Sequence, residues 1–213
     1  MLTPLLKITK GKQMGIVERR QRQKEEVRES ILRAAWQLVL EEGWQSLSIR
    51  KIADAIEYSV PVIYTHFENK EAILLEFTKD GFRLLNEQLQ KAKAQQEDPA
   101  EQLEAMAHAY WDFAFSNKEY YQLMYGLGMP TCETVRQVPE VGKFSEVMHT
   151  TVKALIAGSK NPEANSWLKY HTYWSMLHGL ISINLTGRSD APKKLNQLVL
   201  DDAIRGFVKN IAN

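Results

Sequence analysis

The segment LSIRKIADAIEYSVPVIYTHF, residues 47 to 67, carries two helix starts eleven residues apart. Ser48 stands where an N-cap belongs, with Leu47 before it and Ile52 at the fourth helical position to close a hydrophobic staple. Ser59 repeats the device with Tyr58 and Ile63, and Pro61 falls in the first turn, where a missing N–H costs little. Neither helix is long enough to be stable alone. Joined by a turn of about three residues, they predict a helix-turn-helix anchored on a preceding helix by Ile52 and Ile63, with the small Ala53 where the two approach. So few anchors leave Ser48, Arg50, Ser59, Val60, Pro61, Tyr64 and His66 free to face outward. In this motif the second helix enters the major groove, and residues near its start meet base edges. Lys51 in the first turn opposes its helix dipole but gains a partner against phosphate, as does its neighbour Arg50. Lys70 opens the next helix, where free backbone N–H groups already favour an anion.

The helical period continues along the whole chain, with no strand expected. Val27, Ile31, Ala35, Leu38 and Val39 give the preceding helix one apolar stripe, and Gly43 can end it in the left-handed conformation. Asn69 is expected to cap a long fourth helix reaching about Gln95. Asp98-Pro99-Ala100-Glu101 is the sharpest start in the chain, a variant capping box with proline at the first helical position. Leu103, Met106, Tyr110 and Phe113 follow on one face. Asn117 is expected to cap another helix, Gly126, Gly128 and Pro130 to mark a loop, and Pro139 to open a helix through Leu155. Two last helices are predicted from about Pro162 to Leu185 and from Lys193 to Ile211. The fold class is all-α with about nine helices. Residues 1–20 are expected to be a flexible basic extension, 21–70 a helix-turn-helix domain, and 71–213 a helical body for ligand binding and dimerisation.

Charge supports that division. Residues 1–70 hold 12 Lys or Arg against 9 Asp or Glu, whereas the remainder holds 15 against 17. Residues 7 to 24 alone carry seven basic side chains and one acid, which suits a polyanionic partner at this end. Cys132 is the sole cysteine, so no intrachain disulfide can form and a reducing compartment fits. No membrane span or secretion signal is expected, which places the protein in the cytoplasm. MGIVERRQRQKEEVRES from Met14 reads as a natural start, so residues 1–13 are expected to be an added extension.

Ile52-Ala53, Tyr58-Ser59, Tyr64-Thr65-His66-Phe67, Lys70-Glu71 and Leu74, together with the first helix, closely resemble the N-terminal domain of the TetR family of bacterial transcriptional repressors over roughly residues 25 to 75. The resemblance implies phosphate contacts from Ser48 and Lys70, a backbone contact from Tyr64, and base contacts from Ser59 to Thr65, with Val60 and Pro61 suited to thymine methyls. One position departs: Glu57 stands where the family usually has glycine. If that site needs a positive φ, glutamate there costs about 1–2 kcal/mol. Trp174-Ser175-Met176-Leu177-His178-Gly179 is similar to the tryptophan–histidine–glycine signature of one subclass of the family's C-terminal domains, as is Asn117-Lys118-Glu119-Tyr120-Tyr121-Gln122-Leu123-Met124.

One recognition helix reads few bases, so a homodimer on a palindromic operator is expected, with half-sites about 34–36 Å apart or a multiple of that. Leu195, Leu198, Phe207, Val208 and Ile211 on the last helix, with Trp174, Ile181 and Leu185 on the one before, form the expected dimer surface. Tyr110, Phe113, Tyr121, Met124, Phe144, Met148, Trp174 and His178 are the candidate lining of a cavity for an unidentified small-molecule effector, with Tyr110, Tyr121 and His178 as its polar groups. The fourth helix is the expected lever between the two parts. No catalytic set appears, and neither a cofactor nor a metal is expected. His171 and His178 lie seven apart, which is not a ligand spacing. The rival readings are a DNA binder controlled by a protein partner, and an all-helical ligand-binding protein or enzyme that leaves DNA alone.

Overall fold

A computed structural model describes residues 15–126, 138–185 and 193–212. Cys132, Gly128, Pro130 and residues 1–13 lie outside them. The described residues form nine α-helices and no strand: α1 (Ile16–Glu42), α2 (Ile49–Ala55), α3 (Val60–Tyr64), α4 (Lys70–Lys93), α5 (Pro99–Ser116), α6 (Lys118–Tyr125), α7 (Pro139–Ala157), α8 (Ser166–Leu185) and α9 (Lys193–Ala212). A 3₁₀ turn at Trp44–Ser46 follows α1. No described helix is long and apolar enough to cross a membrane. Two compact units meet in sequence between Lys70 and Glu71.

In the N-terminal unit α1 begins earlier than its apolar stripe, so residues 16–20 are helical and not part of a flexible extension. The cause is local. The Gly15 N–H donates to Glu18 Oε2 at 3.0 Å, and the residues that follow are good helix formers with little to bury. Gly43 ends α1 as expected, its N–H donating to Val39 O at 2.8 Å. Its φ of 80° and ψ of 168° are not the left-handed helical conformation but an extended positive-φ one, which is open almost only to glycine. Ile31, Ala35 and Val39 are buried along α1, and α2 packs against both α1 and α3.

The C-terminal unit is built around α5, whose Leu103, Met106, Tyr110 and Phe113 are all fully buried. Asp98 caps it, Oδ1 accepting from the N–H groups of Ala100 at 2.8 Å and Glu101 at 3.2 Å. Helices α6, α7, α8 and α9 all pack on α5. Two expected starts fall elsewhere. The side chain of Asn117 does not cap α6 but turns back, donating from Nδ2 to Phe113 O at the end of α5. Helix α8 starts at Ser166, not Pro162, because Asn165 Oδ1 accepts from the Leu168 N–H at 3.0 Å and makes the cap. Helices α4 and α6 meet at Gly81: a Cβ there would stand 2.6 Å from Met124 Sδ and 3.2 Å from Tyr120 Cδ1, so any side chain would have to displace Met124.

Candidate functional site

The helix-turn-helix divides its side chains sharply. Ile52, Ala53 and Ile63 are buried, as is Phe67 just past α3, while Arg50, Ser59, Pro61, Tyr64 and Thr65 are exposed. The two aromatics of the Tyr64–Phe67 turn part ways, Tyr64 51% exposed and Phe67 4%. Pro61 and Tyr64 thus face away from Ile63, while Val60, one helical turn before it, is half-buried. Ser48 caps α2, its hydroxyl accepting from the Lys51 N–H at 3.3 Å. Ser59 occupies the matching position before α3 without a side-chain cap. Pro61 removes the donor at the second helical position, and the Val62 N–H goes to the Ser59 carbonyl at 2.9 Å. The Ser59 hydroxyl therefore has no cap to make. Of the second expected staple, Ile63 is buried but Tyr58 stays 45% exposed. The Thr65 hydroxyl donates to Val62 O at 2.7 Å, which leaves its oxygen as an acceptor.

Glu57 has φ 58°, the one positive φ at a non-glycine among the described residues. The turn between α2 and α3 needs the conformation that glycine gives freely, and the glutamate adopts it under strain.

Two expected contacts look different in three dimensions. The Lys51 ammonium forms an ion pair with the Glu42 carboxylate at the end of α1, both partly exposed, so any phosphate must compete with an internal carboxylate. Arg50 beside it is exposed. His66 is half-buried, and its Nδ1 is enclosed with no partner among the described residues. Burial, then the nearby cations Lys24 and Arg28, hold the His66 pKa below its usual value. A neutral ring with one nitrogen turned inward is poorly placed to meet a phosphate. The same neighbours show what sequence reasoning missed. The Arg28 guanidinium lies 5.0 Å over the Phe67 ring, so α1 adds cations at the end of α3. The signal was available in the basic run of α1, whose register against α3 the sequence did not reveal. Lys70 opens α4 in a half-buried position.

In the body, a cavity of about 200 Å³ is lined by Tyr121, Gln122, Tyr125 and Gly126 from α6 and its end, and by His178, Ser182 and Leu185 from α8. Of the eight expected lining residues, only Tyr121 and His178 line it. Phe113, Met124, Phe144 and Met148 are buried core, because the apolar face of each helix turns to its neighbours and leaves no gap there. Tyr110 is buried behind the cavity, its ring 6.0 Å from that of Tyr121. Trp174 stacks on His178 with centroids 5.5 Å apart and 20° between planes. Gln122, Gly126 and Ser182 line it without any expectation in the sequence, as does Tyr125, outside the eight candidates, and Leu185, expected on the dimer surface, lines it too. Tyr121 to Tyr125 and His178 to Ser182 to Leu185 follow helical i, i+4, i+7 spacing, but the facing of α6 against α8 is tertiary information.

His178 Nδ1 lies 2.6 Å from the Tyr121 hydroxyl, and Nε2 lies 3.4 Å from Ser182 Oγ. Burial lowers the His178 pKa and raises that of Tyr121 well above the phenol range, so a neutral imidazole accepts at Nδ1 from the tyrosine O–H and donates from Nε2 to the serine. No group of three or more metal-ligating side chains gathers among the described residues.

The dimer stripe also divides. Phe207, Ile211 and Ile181 are buried in their own unit, whereas Leu195 and Leu198 are 47% and 51% exposed, with Val199 and Ile183 exposed alongside.

Comparison with known proteins agrees with this anatomy. The family model described as "Bacterial regulatory proteins, tetR family" matches residues 31–77, and "Tetracyclin repressor-like, C-terminal domain" matches residues 103–206. An uncharacterized HTH-type transcriptional regulator of Bacillus subtilis, YobS, is 28% identical over 92 residues, 43% of this chain. The match spans 48% of that relative, so the chain aligns with about half of its length. Among solved structures, the putative regulatory protein SCO4313 has a TM-score of 0.70 at 22% identity, covering 89% of this chain and 98% of its own. The TetR family regulator PfmR of Thermus thermophilus has a TM-score of 0.60 at 22% identity, covering 85% and 96%. FadR of Bacillus subtilis, solved in complex with stearoyl-CoA, has a TM-score of 0.65 at 14% identity, covering 87% and 97%. At these identities the structures share the fold. The chain carries the N-terminal and C-terminal domains of the TetR family of transcriptional regulators.

Proposed function

We propose that this protein is a cytoplasmic, homodimeric transcriptional repressor, not an enzyme, whose two α3 helices bind a palindromic operator and are released by a small molecule held in the helical body. The observation that carries the reading is the partition around α3: Ile63 and Phe67 hold the helix in place, while Ser59, Pro61, Tyr64 and Thr65 are exposed for base edges and backbone. Ser48, Arg50 and Lys70, with Lys51 once freed from Glu42, supply phosphate contacts. Leu195, Leu198, Val199 and Ile183 supply an apolar face for the second copy. The Trp174–His178 stack supports placing the body in the tryptophan–histidine–glycine subclass. The effector acts by preferring one conformation of the dimer, with α4 as the lever.

Selection of bound oligonucleotides from a random pool tests this. A two-fold symmetric consensus is expected. Indifference to every duplex sequence at low ionic strength, from a protein that stays monomeric, would sink it.

A further inference from the structure

The cavity between α6 and α8 has walls that are polar in one sense only. Among the described residues no lysine, arginine, aspartate or glutamate lines it; its polar atoms come from Gln122, Ser182, His178 and the tyrosines. Its volume of about 200 Å³ matches roughly seven waters at about 30 Å³ each, room for a single substituted ring. Tyr121, Tyr125 and His178 surround that space with π-faces, their centroids 4.8 to 5.7 Å apart.

Behind the rings lies an unmet need. The Tyr110 hydroxyl, the Tyr125 hydroxyl and the Trp174 indole nitrogen are all enclosed, and none has a hydrogen-bond partner among the described residues. They neighbour one another closely enough that Tyr110 and Trp174 both bear on the ionisation of Tyr125, yet no pair reaches bonding geometry. Burial pushes both phenols well above their ordinary range, so each keeps its proton. Three donors thus converge on only two acceptors, the hydroxyl oxygens, and none is hydrogen-bonded to another, so at least one donor needs an acceptor from outside. The indole N–H is the most telling, since it can only donate. Leaving such groups unpaired is costly, and an acceptor that reached them would recover that cost. Tyr125 lines the cavity and also neighbours Tyr110 and Trp174, so it is the residue that joins the cavity to the other two donors.

We propose that the cavity takes an uncharged aromatic molecule bearing an oxygen acceptor of the ketone or ester kind, bound by the Trp174 indole N–H together with the Tyr110 and Tyr125 hydroxyls. A quaternary ammonium would suit the ring faces but offers nothing to the indole. A carboxylate offers an acceptor, but its charge would be buried without a cation among the described lining residues. This deepens the effector-binding reading and rests on it.

Calorimetric titration of the full chain without DNA tests the assignment with four probes on one ring: acetophenone, ethylbenzene, benzoate and phenyltrimethylammonium. Acetophenone should bind saturably and about tenfold tighter than each of the others, the ratio that one hydrogen bond of about 1.4 kcal/mol provides. Trp174→Phe should bring acetophenone down to the level of ethylbenzene and leave ethylbenzene unchanged. If that variant fails to fold, Tyr110→Phe, which removes a buried orphan hydroxyl, should lower the same ratio. Equal or tighter binding of benzoate or phenyltrimethylammonium, no saturable binding by any probe, or an acetophenone preference that survives both substitutions would overturn the assignment. Acetophenone binding that leaves duplex affinity unchanged would count against the regulator reading and for the cavity chemistry.

Discussion

Helix α3 in the N-terminal unit keeps one side chain, Ile63, fully buried and leaves its other positions wholly or partly open to solvent. Helix α6 in the body does the reverse, burying Tyr121, Leu123 and Met124 out of eight residues. The first helix is held by few contacts and offers its side chains to something outside. The second is woven into an aromatic layer and contributes to a cavity from its edge. An outward reading surface tolerates polar groups because water satisfies them until a partner arrives. An enclosed site bears a cost for each polar group it leaves unpaired, as at Tyr110, Tyr125 and Trp174, and that deficit is what a ligand can relieve.

The largest effect should come from salt. If about 6–10 phosphates are contacted by the dimer, duplex affinity should fall about 10³–10⁵-fold between 50 and 200 mM salt. Fluorescence anisotropy would show it, and a flat profile would erase the contrast between the two units. Next come anchors against readers. Ile63→Ala should destabilise the protein by about 2–5 kcal/mol in denaturant titration. Tyr64→Ala, at an exposed position, should shift stability by about 0.5 kcal/mol or less while weakening duplex binding. If both substitutions acted through stability, α3 would not be a reading surface. In the body the asymmetry of buried polar groups predicts a split. Tyr121→Phe should cost about 1–3 kcal/mol by stranding His178 Nδ1, whereas Tyr110→Phe, which removes an unpaired hydroxyl, should be neutral or stabilising. The smallest effect concerns the turn before α3. Glu57→Gly should stabilise by about 0.5–1 kcal/mol, the relief of a positive φ less the entropy of glycine. A loss of stability there would mean that the glutamate side chain has a role its backbone strain hides.

The two units also differ in how far the chain announces them. Ser48, Ile52, Ala53 and Ile63 lie within sixteen residues, and caps, staples and proline positions are local chemistry, so the motif is legible in the bare sequence. The positive φ at Glu57 follows from a single departure in the same stretch. What failed nearby depended on neighbours distant in sequence: Glu42 nine residues before Lys51, and Arg28 nearly forty before Phe67. In the body almost every relevant pairing is of that kind. His178 meets Tyr121 across 57 residues of chain, and the enclosed Phe113 and Met148 look no different in sequence from residues lining a void. Hydrophobic period says which face of a helix turns inward, not where two inward faces fail to fill the space between them.

The five-residue α3 has a further consequence. With no side-chain cap, it borrows its rigidity from α2, on which it packs, from the buried Ile63 and from Phe67 just beyond its end. The exposed positions Ser59, Pro61 and Tyr64 can therefore be exchanged while the frame beneath stays put. If these positions read the operator as proposed, a lineage built on this scaffold is free to change its vocabulary long before it must change its architecture.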